Sequence, residues 1–273
     1  MRRSWLFVPG ADPQAHEAAA ASGADVIILE LEDFTPPELR PKARELSRHV
    51  FDRWRKAGAV AAARINPLET CGNEDLIGVL AGRPDLILMS KVATPQQVVA
   101  LEKATGGAME LVPNVETAAG LVNAFAIARA SPRVSAMLVA SEDMVADLGT
   151  ARSRRGEELA YVRARFLVEC RAAGVEAIDC PYTFSDVKGA VADARTAKRL
   201  GYRMKSLVDP SHARAINAVF SPTKAELRKA QRIVTAFEKA RAAGKERAKV
   251  DGALVEVPIY AAAKRLLESL ARS

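Results

Sequence analysis

The 273-residue sequence predicts an α/β chain folded as a (β/α)8 barrel, and three observations predict it. Short runs rich in Val, Ile and Leu alternate with longer Ala-rich segments of helical spacing, the pattern of repeated βα units around a parallel sheet. About eight such units fit into roughly 220 residues, the count and length of a closed barrel. Gly23, Gly58, Gly174 and Gly201 each fall shortly after a helical segment and a few residues before an apolar run, where a left-handed helix C-cap belongs. A doubly wound parallel sheet is the alternative architecture.

The sequence places the strands at Ser4 to Val8, Val26 to Leu31, Val60 to Ile65, Leu86 to Met89, Glu110 to Val112, Ala136 to Ala140, Glu176 to Ile178 and Met204 to Val208. Between and after them the helical spacing falls at Pro13 to Ala21, Pro36 to Ala57, Asn73 to Ala81, Pro95 to Ala104, Glu116 to Arg129, Glu157 to Ala173, Asp186 to Leu200 and Pro210 to Val219. The chain then continues through Ser221-Pro222-Thr223 into a basic helix, passes Gly244 and Asp251-Gly252, and ends in a helix over Pro258 to Ala271. The expected division is a catalytic barrel over 1–222 and a helical extension over 223–273, which is surplus to a barrel and is expected to pack on it or on a neighbouring subunit.

Composition narrows the class. At 49% hydrophobic and 27% charged residues, the chain is neither disordered nor collagenous, and its length excludes a mini-scaffold. Most of the net charge of +7 lies between Lys224 and Lys249, where nine basic residues face three acidic ones. Phe237 is the lone aromatic residue there, so base stacking has no support and a solvated helix face is the expectation; no nucleic-acid partner is expected. Cys71, Cys170 and Cys180 show no CxxC spacing, which suggests a reducing compartment, and no run approaches the roughly 18 apolar residues of a membrane span. A cytoplasmic protein with no membrane partner is expected.

A barrel enzyme carries its chemistry where strands end. Strand two ends in Glu30-Leu31-Glu32-Asp33, strand three in Arg64-Ile65-Asn66-Pro67, strand four at Lys91, strand five in Pro113-Asn114-Val115-Glu116 and strand six in Ser141-Glu142-Asp143. Strand seven ends in Asp179-Cys180-Pro181-Tyr182, and strand eight carries Lys205 and Val208-Asp209-Pro210. Glu116 and Asp143 terminate adjacent strands, so their carboxylates can share one divalent ion and leave positions for water and substrate, the habit of Mg²⁺. The alternative is that they cap helices. Arg64 follows Ala61-Ala62-Ala63, which puts a guanidinium at the inner mouth to bind a substrate carboxylate through two hydrogen bonds; a buried ion pair with Glu32 or Asp33 is the alternative. Lys91 and Lys205 offer a Schiff-base route if desolvation lowers their pKa. His16, His49 and His212 are too scattered for a zinc site.

The motifs RRSWLFVPG (2–10), GADVIILELED (23–33), RINPLET (64–70), PNVETAAG (113–120) and SEDMVADLG (141–149) occur in order, followed by RRGEEL (154–159), AGVEAIDCPYT (173–183), FSP (220–222) and VDGALVEVP (250–258). With these the sequence resembles, over nearly its whole length, the citrate lyase beta-subunit-like proteins of the metal-dependent aldolase superfamily, which also holds malyl-CoA and citramalyl-CoA lyases. The resemblance implies a TIM barrel, often trimeric, that uses Mg²⁺ to cleave or form a carbon–carbon bond in a β-hydroxy acid, usually carried on coenzyme A. It implies Glu116 and Asp143 as metal ligands and Arg64 as the group that binds the carboxylate of a 2-oxo acid. It implies Glu32 and Asp33 as an acidic pair that orients water at the metal, Ser141 and Glu142 as further substrate contacts, and Asp251 as an acid or base contributed by a neighbouring subunit. The implied assembly is a homo-oligomer, a trimer or a dimer of trimers, with a small oxo acid or acyl-CoA as substrate.

Five positions depart from the pattern of relatives. Glu30 stands where LDLED is usual, Gly10-Ala11-Asp12-Pro13 replaces a GDRP-like loop, and Val208-Asp209-Pro210 replaces Ile-His-Pro; Met204 takes the place of a glycine, and Ser90 that of a proline. Losing an arginine and gaining an aspartate on that side predicts weak phosphate binding there. The functional expectation is a Mg²⁺-dependent lyase acting on citramalyl-, malyl- or citryl-CoA through a stabilised enolate. The alternatives are a citrate lyase beta subunit acting on a carrier-bound citryl group, a metal-dependent aldolase acting on free hydroxy-oxo acids, and a non-catalytic ligand-binding barrel.

Overall fold

The computed structural model describes residues 1–107 and 109–271, and it separates into a unit over Arg2–Phe220 and a C-terminal unit that begins at Ser221. In the first unit the order is β1 (Ser4–Pro9), α1 (Pro13–Ser22), β2 (Val26–Glu30), α2 (Arg40–Lys56), β3 (Val60–Ile65), α3 (Gly72–Leu80), β4 (Leu86–Met89), α4 (Pro95–Thr105) and β5 (Glu110–Val115). It continues with α5 (Ala118–Val122), α6 (Ala124–Arg129), β6 (Ala136–Val139), α7 (Glu142–Asp147), α8 (Ala160–Ala173), β7 (Glu176–Asp179), α9 (Val187–Leu200), β8 (Met204–Leu207) and α10 (Ala213–Phe220). The eight strands form a closed barrel in sequence order, each parallel to the next, and β8 closes on β1. The expected (β/α)8 barrel is therefore observed.

Both faces of every strand are covered, which is why the runs are nearly continuously apolar. Trp5, Phe7, Val26, Ile28, Ala62, Leu86, Leu88, Val112 and Leu138 fill the interior. Their neighbours Leu6, Val8, Ile27, Leu29, Ala61 and Ala63 belong to the second core, between sheet and helices. The same two-residue period, carried past the apolar stretch, sets Glu30, Arg64, Asn114 and Glu116 in phase with the interior residues Ile28, Ala62 and Val112. Polar side chains at the C-terminal strand ends thus open into the barrel mouth.

Three local differences from the sequence reading have physical reasons. Val112 looked like the end of strand five because proline has no N–H to give a ladder. Instead β5 runs on to Val115, with Pro113 in register with Met89 and Asn114 with Leu138. The single helix expected over Glu116 to Arg129 is two, α5 and α6, parted at Asn123, whose side-chain amide donates to Ala93 O at 2.8 Å. The third difference is in the C-terminal unit, which holds α11 (Lys224–Ala242), β9 (Ala248–Val250), β10 (Ala253–Val255) and α12 (Val257–Ala271). Asp251 and Gly252 both have positive φ, 51° and 80°, the conformation of a two-residue turn that joins β9 to β10 as a hairpin.

In this unit Ala230, Ile233, Val234 and Phe237 of α11 are buried against Val255 and Ala263, and Phe237 stacks on Tyr260 at 4.6 Å. The basic residues of α11 lie around that apolar stripe. No helix among the described residues is long and apolar enough to cross a membrane.

Lys205 does not reach the mouth. It lies out of phase with Met204 and Ser206, on the helix side of the sheet, where Nζ meets Asp179 Oδ2 at 2.6 Å and Asp193 Oδ2 at 2.5 Å. Arg163 of α8 bonds the same two carboxylates, at 2.7 and 2.8 Å. Burial works against the charge on Lys205, but Asp179 and Asp193 outweigh it and hold the amine above its ordinary pKa. Held by two carboxylates on the helix side of the sheet, Lys205 is not placed at the mouth for the Schiff-base role considered for it. Lys205→Met should destabilise the protein by about 3–5 kcal/mol, because it strips a cation from two carboxylates in a dry layer. Thermal or urea unfolding checks this.

Candidate active site

The mouth of the barrel holds a cavity of about 280 Å³ lined by Phe7, Asp33, Phe34, Arg64, Leu138, Ala140, Ser141, Glu142, Asp143, Pro181, Thr183 and Val208. It brings together five of the residues singled out from the sequence: Asp33, Arg64, Ser141, Glu142 and Asp143.

Arg64 is its electrostatic centre. Nε donates to Glu30 Oε1 at 2.9 Å, Nη2 lies 2.8 Å from Glu30 Oε1 and 3.0 Å from Glu32 Oε2, and Nη1 lies 3.4 Å from Glu116 Oε1. The guanidinium carbon sits 4.8 Å from the centre of the Phe7 ring, a cation–π contact beneath the cation. Burial opposes the charge, but Glu30, Glu116 and Glu32 together keep Arg64 protonated above its usual range. The buried ion pair weighed as the alternative role is present with Glu32, and the fork also engages two carboxylates the alternative did not include.

Glu30 is the residue the sequence reading undervalued. Besides holding Arg64, its Oε1 accepts from Glu32 N and its Oε2 from Phe34 N, both at 2.6 Å. One carboxylate therefore fixes the arginine and the turn that presents Glu32 and Asp33. The signal was in the sequence: Glu30 is in phase with Val26 and Ile28 and in register with Arg64.

Glu116 is fully buried, and burial pushes its carboxyl up to about 8, with Arg64 opposing and the carboxylates of Glu32 and Asp143 adding to the rise. Its Oε2 has no hydrogen-bond partner among the described residues; neither have Ser141 Oγ or the amide oxygen and nitrogen of Asn114. Such orphaned buried groups are rare in folded proteins and gather where a ligand completes them. Glu142 and Asp143 lie in the first turn of α7, as the helix-capping alternative expected, yet both also line the cavity. Glu142 is committed to the rim: its Oε1 accepts from Thr183 Oγ1 at 2.7 Å and from Arg152 Nε at 3.1 Å.

Lys91 closes the other side. Its backbone takes a φ of 53°, uncommon for a side-chain-bearing residue, and its Nζ reaches Glu32 Oε1 at 2.5 Å and Asp33 Oδ1 at 3.7 Å. The Glu32 hydrogen bond raises the pKa of Lys91, the opposite of the lowered value that a Schiff-base lysine needs. Burial raises the pKa of Glu32, against the pull of Arg64 and Lys91. Asp251 sits on the hairpin turn of the C-terminal unit, paired with Arg232 at 2.6 Å.

Among the described residues no three His, Cys, Asp or Glu side chains converge as a ready-made metal cage. What the mouth offers is an orphaned carboxylate oxygen on Glu116, a second carboxylate on Asp143, and a fixed guanidinium beside them.

The HpcH/HpaI aldolase/citrate lyase family matches residues 3–210. The chain is 31% identical to citrate lyase subunit beta of Leuconostoc mesenteroides subsp. cremoris, over 98% of this chain and 93% of that protein. It is 33% identical to a (3S)-malyl-CoA thioesterase of Cereibacter sphaeroides, over 93% and 89% of the two chains. Among solved structures, CitE from Mycobacterium tuberculosis in complex with magnesium, acetoacetate and coenzyme A aligns over 97% of each chain, with a TM-score of 0.81 and 29% identity. RipC from Yersinia pestis aligns over 83% of this chain and 98% of that one, with a TM-score of 0.71 and 31% identity.

Proposed function

Because the chain belongs to the HpcH/HpaI aldolase/citrate lyase family, we propose that it is a Mg²⁺-dependent carbon–carbon lyase that cleaves or forms a β-hydroxy acyl thioester such as citramalyl-, malyl- or citryl-CoA. The observation that carries this reading is the orphaned, buried Oε2 of Glu116 beside the fixed fork of Arg64. An unpaired carboxylate oxygen in a dry site is costly without a cation, and hard carboxylate oxygens suit Mg²⁺. The residues fit the ion: Glu116 and Asp143 would hold it, and water and substrate would complete its coordination. When bound, Mg²⁺ supplies electrophilic stabilisation of the negative charge that develops on oxygen as the carbon–carbon bond breaks.

The chain's own side chains do the rest. Arg64, preset by Glu30 and Glu32 through Nε and Nη2, has in Nη1, whose 3.4 Å approach to Glu116 is its loosest, the donor for the carboxylate of the oxo-acid half. The substrate hydroxyl must lose its proton, and the Glu32–Asp33 pair is the acceptor in this reading. The bond electrons pass into the thioester enolate, whose carbon is then protonated. We assign that proton to Asp251 of a neighbouring copy in a homotrimer or a dimer of trimers, as the family resemblance implies. Ser141 Oγ and the side-chain amide of Asn114 are unspent hydrogen-bonding groups for the substrate's oxygens.

A second reading, action on a citryl group borne by a carrier protein, is favoured by the likeness to citrate lyase beta subunits. The test is incubation with Mg²⁺ and a panel of citramalyl-CoA, malyl-CoA, citryl-CoA and the matching free acids, with and without EDTA, with products read by mass spectrometry. EDTA-sensitive cleavage of a thioester is the expected result. Cleavage of a free acid alone would move the protein to the aldolase reading, and silence across the panel would favour the carrier-dependent or non-catalytic ones.

A further inference from the structure

A thioester carrier ends in phosphates, which are held by guanidinium or ammonium groups with donors to spare. The cations around the mouth differ in how far their donors are already spent. Arg40 donates to Thr35 O, Glu32 O and Cys71 Sγ. Lys91 is drawn to Glu32, Arg64 is enclosed by three carboxylates, and Arg152 bonds Glu142 and Glu158.

Arg154 and Arg155, on the same loop as Arg152 between α7 and α8, are different. Arg154 Nη1 meets Asp186 Oδ2 at 2.7 Å and Tyr182 Oη at 3.4 Å, its guanidinium lies 4.7 Å over the Phe184 ring, and 67% of its side chain remains exposed. Arg155 is 85% exposed, with a loose 3.7 Å approach to Glu157. The loop adjoins the cavity through Arg152, which bonds the lining residue Glu142, and Glu142 in turn bonds Thr183, next to Phe184.

The β8–β1 side of the rim has the opposite character. Asp12 accepts from Gln14 N and Ala15 N at the start of α1, and Asp209 accepts from Ser211 N after β8. Carboxylates there occupy the helix-start amides that a phosphate would otherwise use.

We propose that Arg154, over the Phe184 ring, and the neighbouring Arg155 form a phosphate-binding shelf that receives the phosphorylated tail of a pantetheine thioester as it leaves the mouth on the β6–β7 side. The shelf rests on the thioester reading of the site and names where that substrate's charge is held. Free coenzyme A and the phosphopantetheine arm of a carrier share the chemistry it recognises.

The experiment is calorimetric binding of coenzyme A, and separately of 4′-phosphopantetheine, to the full chain and to the Arg154→Ala/Arg155→Ala variant at two salt concentrations. The expected result is a loss of roughly tenfold in affinity and a shallower salt dependence in the variant. Loss for both probes assigns the shelf to the phosphate of the pantetheine arm, and loss for coenzyme A alone assigns it to the nucleotide phosphates. Equal affinities in the two proteins, or no binding of either probe by the unaltered chain, overturns the shelf. Shelf-dependent binding with no thioester cleaved would leave the shelf standing and remove the lyase reading instead. Both side chains are exposed, and a matching thermal transition confirms that the variant is folded.

Discussion

Glu116→Gln should lower Mg²⁺-dependent turnover by more than about 100-fold while leaving the fold intact. Replacing even a supporting residue around a metal typically costs 10- to 100-fold, so loss of a ligand belongs at or beyond the upper end. The amide keeps the shape of the side chain and removes its ability to carry charge. Stability should not fall, because the exchange replaces a carboxyl that burial already drives up to about 8 with a neutral group. Arg64 retains Glu30 and Glu32 as partners in the variant. The readouts are kcat/KM across a Mg²⁺ titration and the thermal transition. Wild-type activity in the variant would remove Glu116 from the metal site.

Arg64→Lys should be nearly as severe, a loss of about 10²- to 10³-fold in kcat/KM, the scale of removing one preorganised donor at a site of developing charge. The guanidinium spans three carboxylates at once, with Nε and Nη2 on Glu30, Nη2 on Glu32 and Nη1 facing Glu116. An ammonium is a point charge without that fork, so it neutralises the cluster but cannot hold a substrate carboxylate in one orientation. The fold should survive with Lys. With Arg64→Met it should weaken by about 3–5 kcal/mol, because the buried carboxylates of Glu30 and Glu116 then lose their cation and Glu32 keeps only Lys91. Steady-state kinetics on the first variant and urea unfolding on the second separate the two roles. Full activity with lysine would show that charge alone is needed at this position.

The barrel was legible in the sequence because its strands are buried on both faces and its αβ turns carry glycines; Gly23 and Gly174 indeed sit at φ of 79° and 80°. Much of the mouth was legible for a related reason. Arg64, Glu116 and Asp143 stand directly beyond apolar runs, where a closed parallel barrel must present them. What escaped the reading was phase within a strand. Lys205 and Glu30 both looked like strand-end groups, but Lys205 is out of step with the interior residues and belongs to a salt-bridged layer behind the sheet. Glu30 is in step, and it organises Arg64 and the following turn.

Asn114 was placed at the end of strand five without a role, and its significance is visible only once its amide proves buried and unpaired. The aspartates at 12 and 209, noted as departures on the phosphate side, are helix caps. The Asp251-Gly252 pair carried a hairpin signal, but three-residue strands on either side gave it too little apolar alternation to be read.

The measurement that bears most directly on the central claim is product stoichiometry. With a cleavable β-hydroxy acyl-CoA and Mg²⁺, a lyase releases one oxo acid and one shorter acyl-CoA for each substrate consumed, and liberates no free thiol. The account predicts that balance, with EDTA stopping both products together. Free thiol appearing in step with substrate loss and no oxo acid would contradict it, since that outcome means the thioester bond, and not the carbon–carbon bond, is the one that breaks.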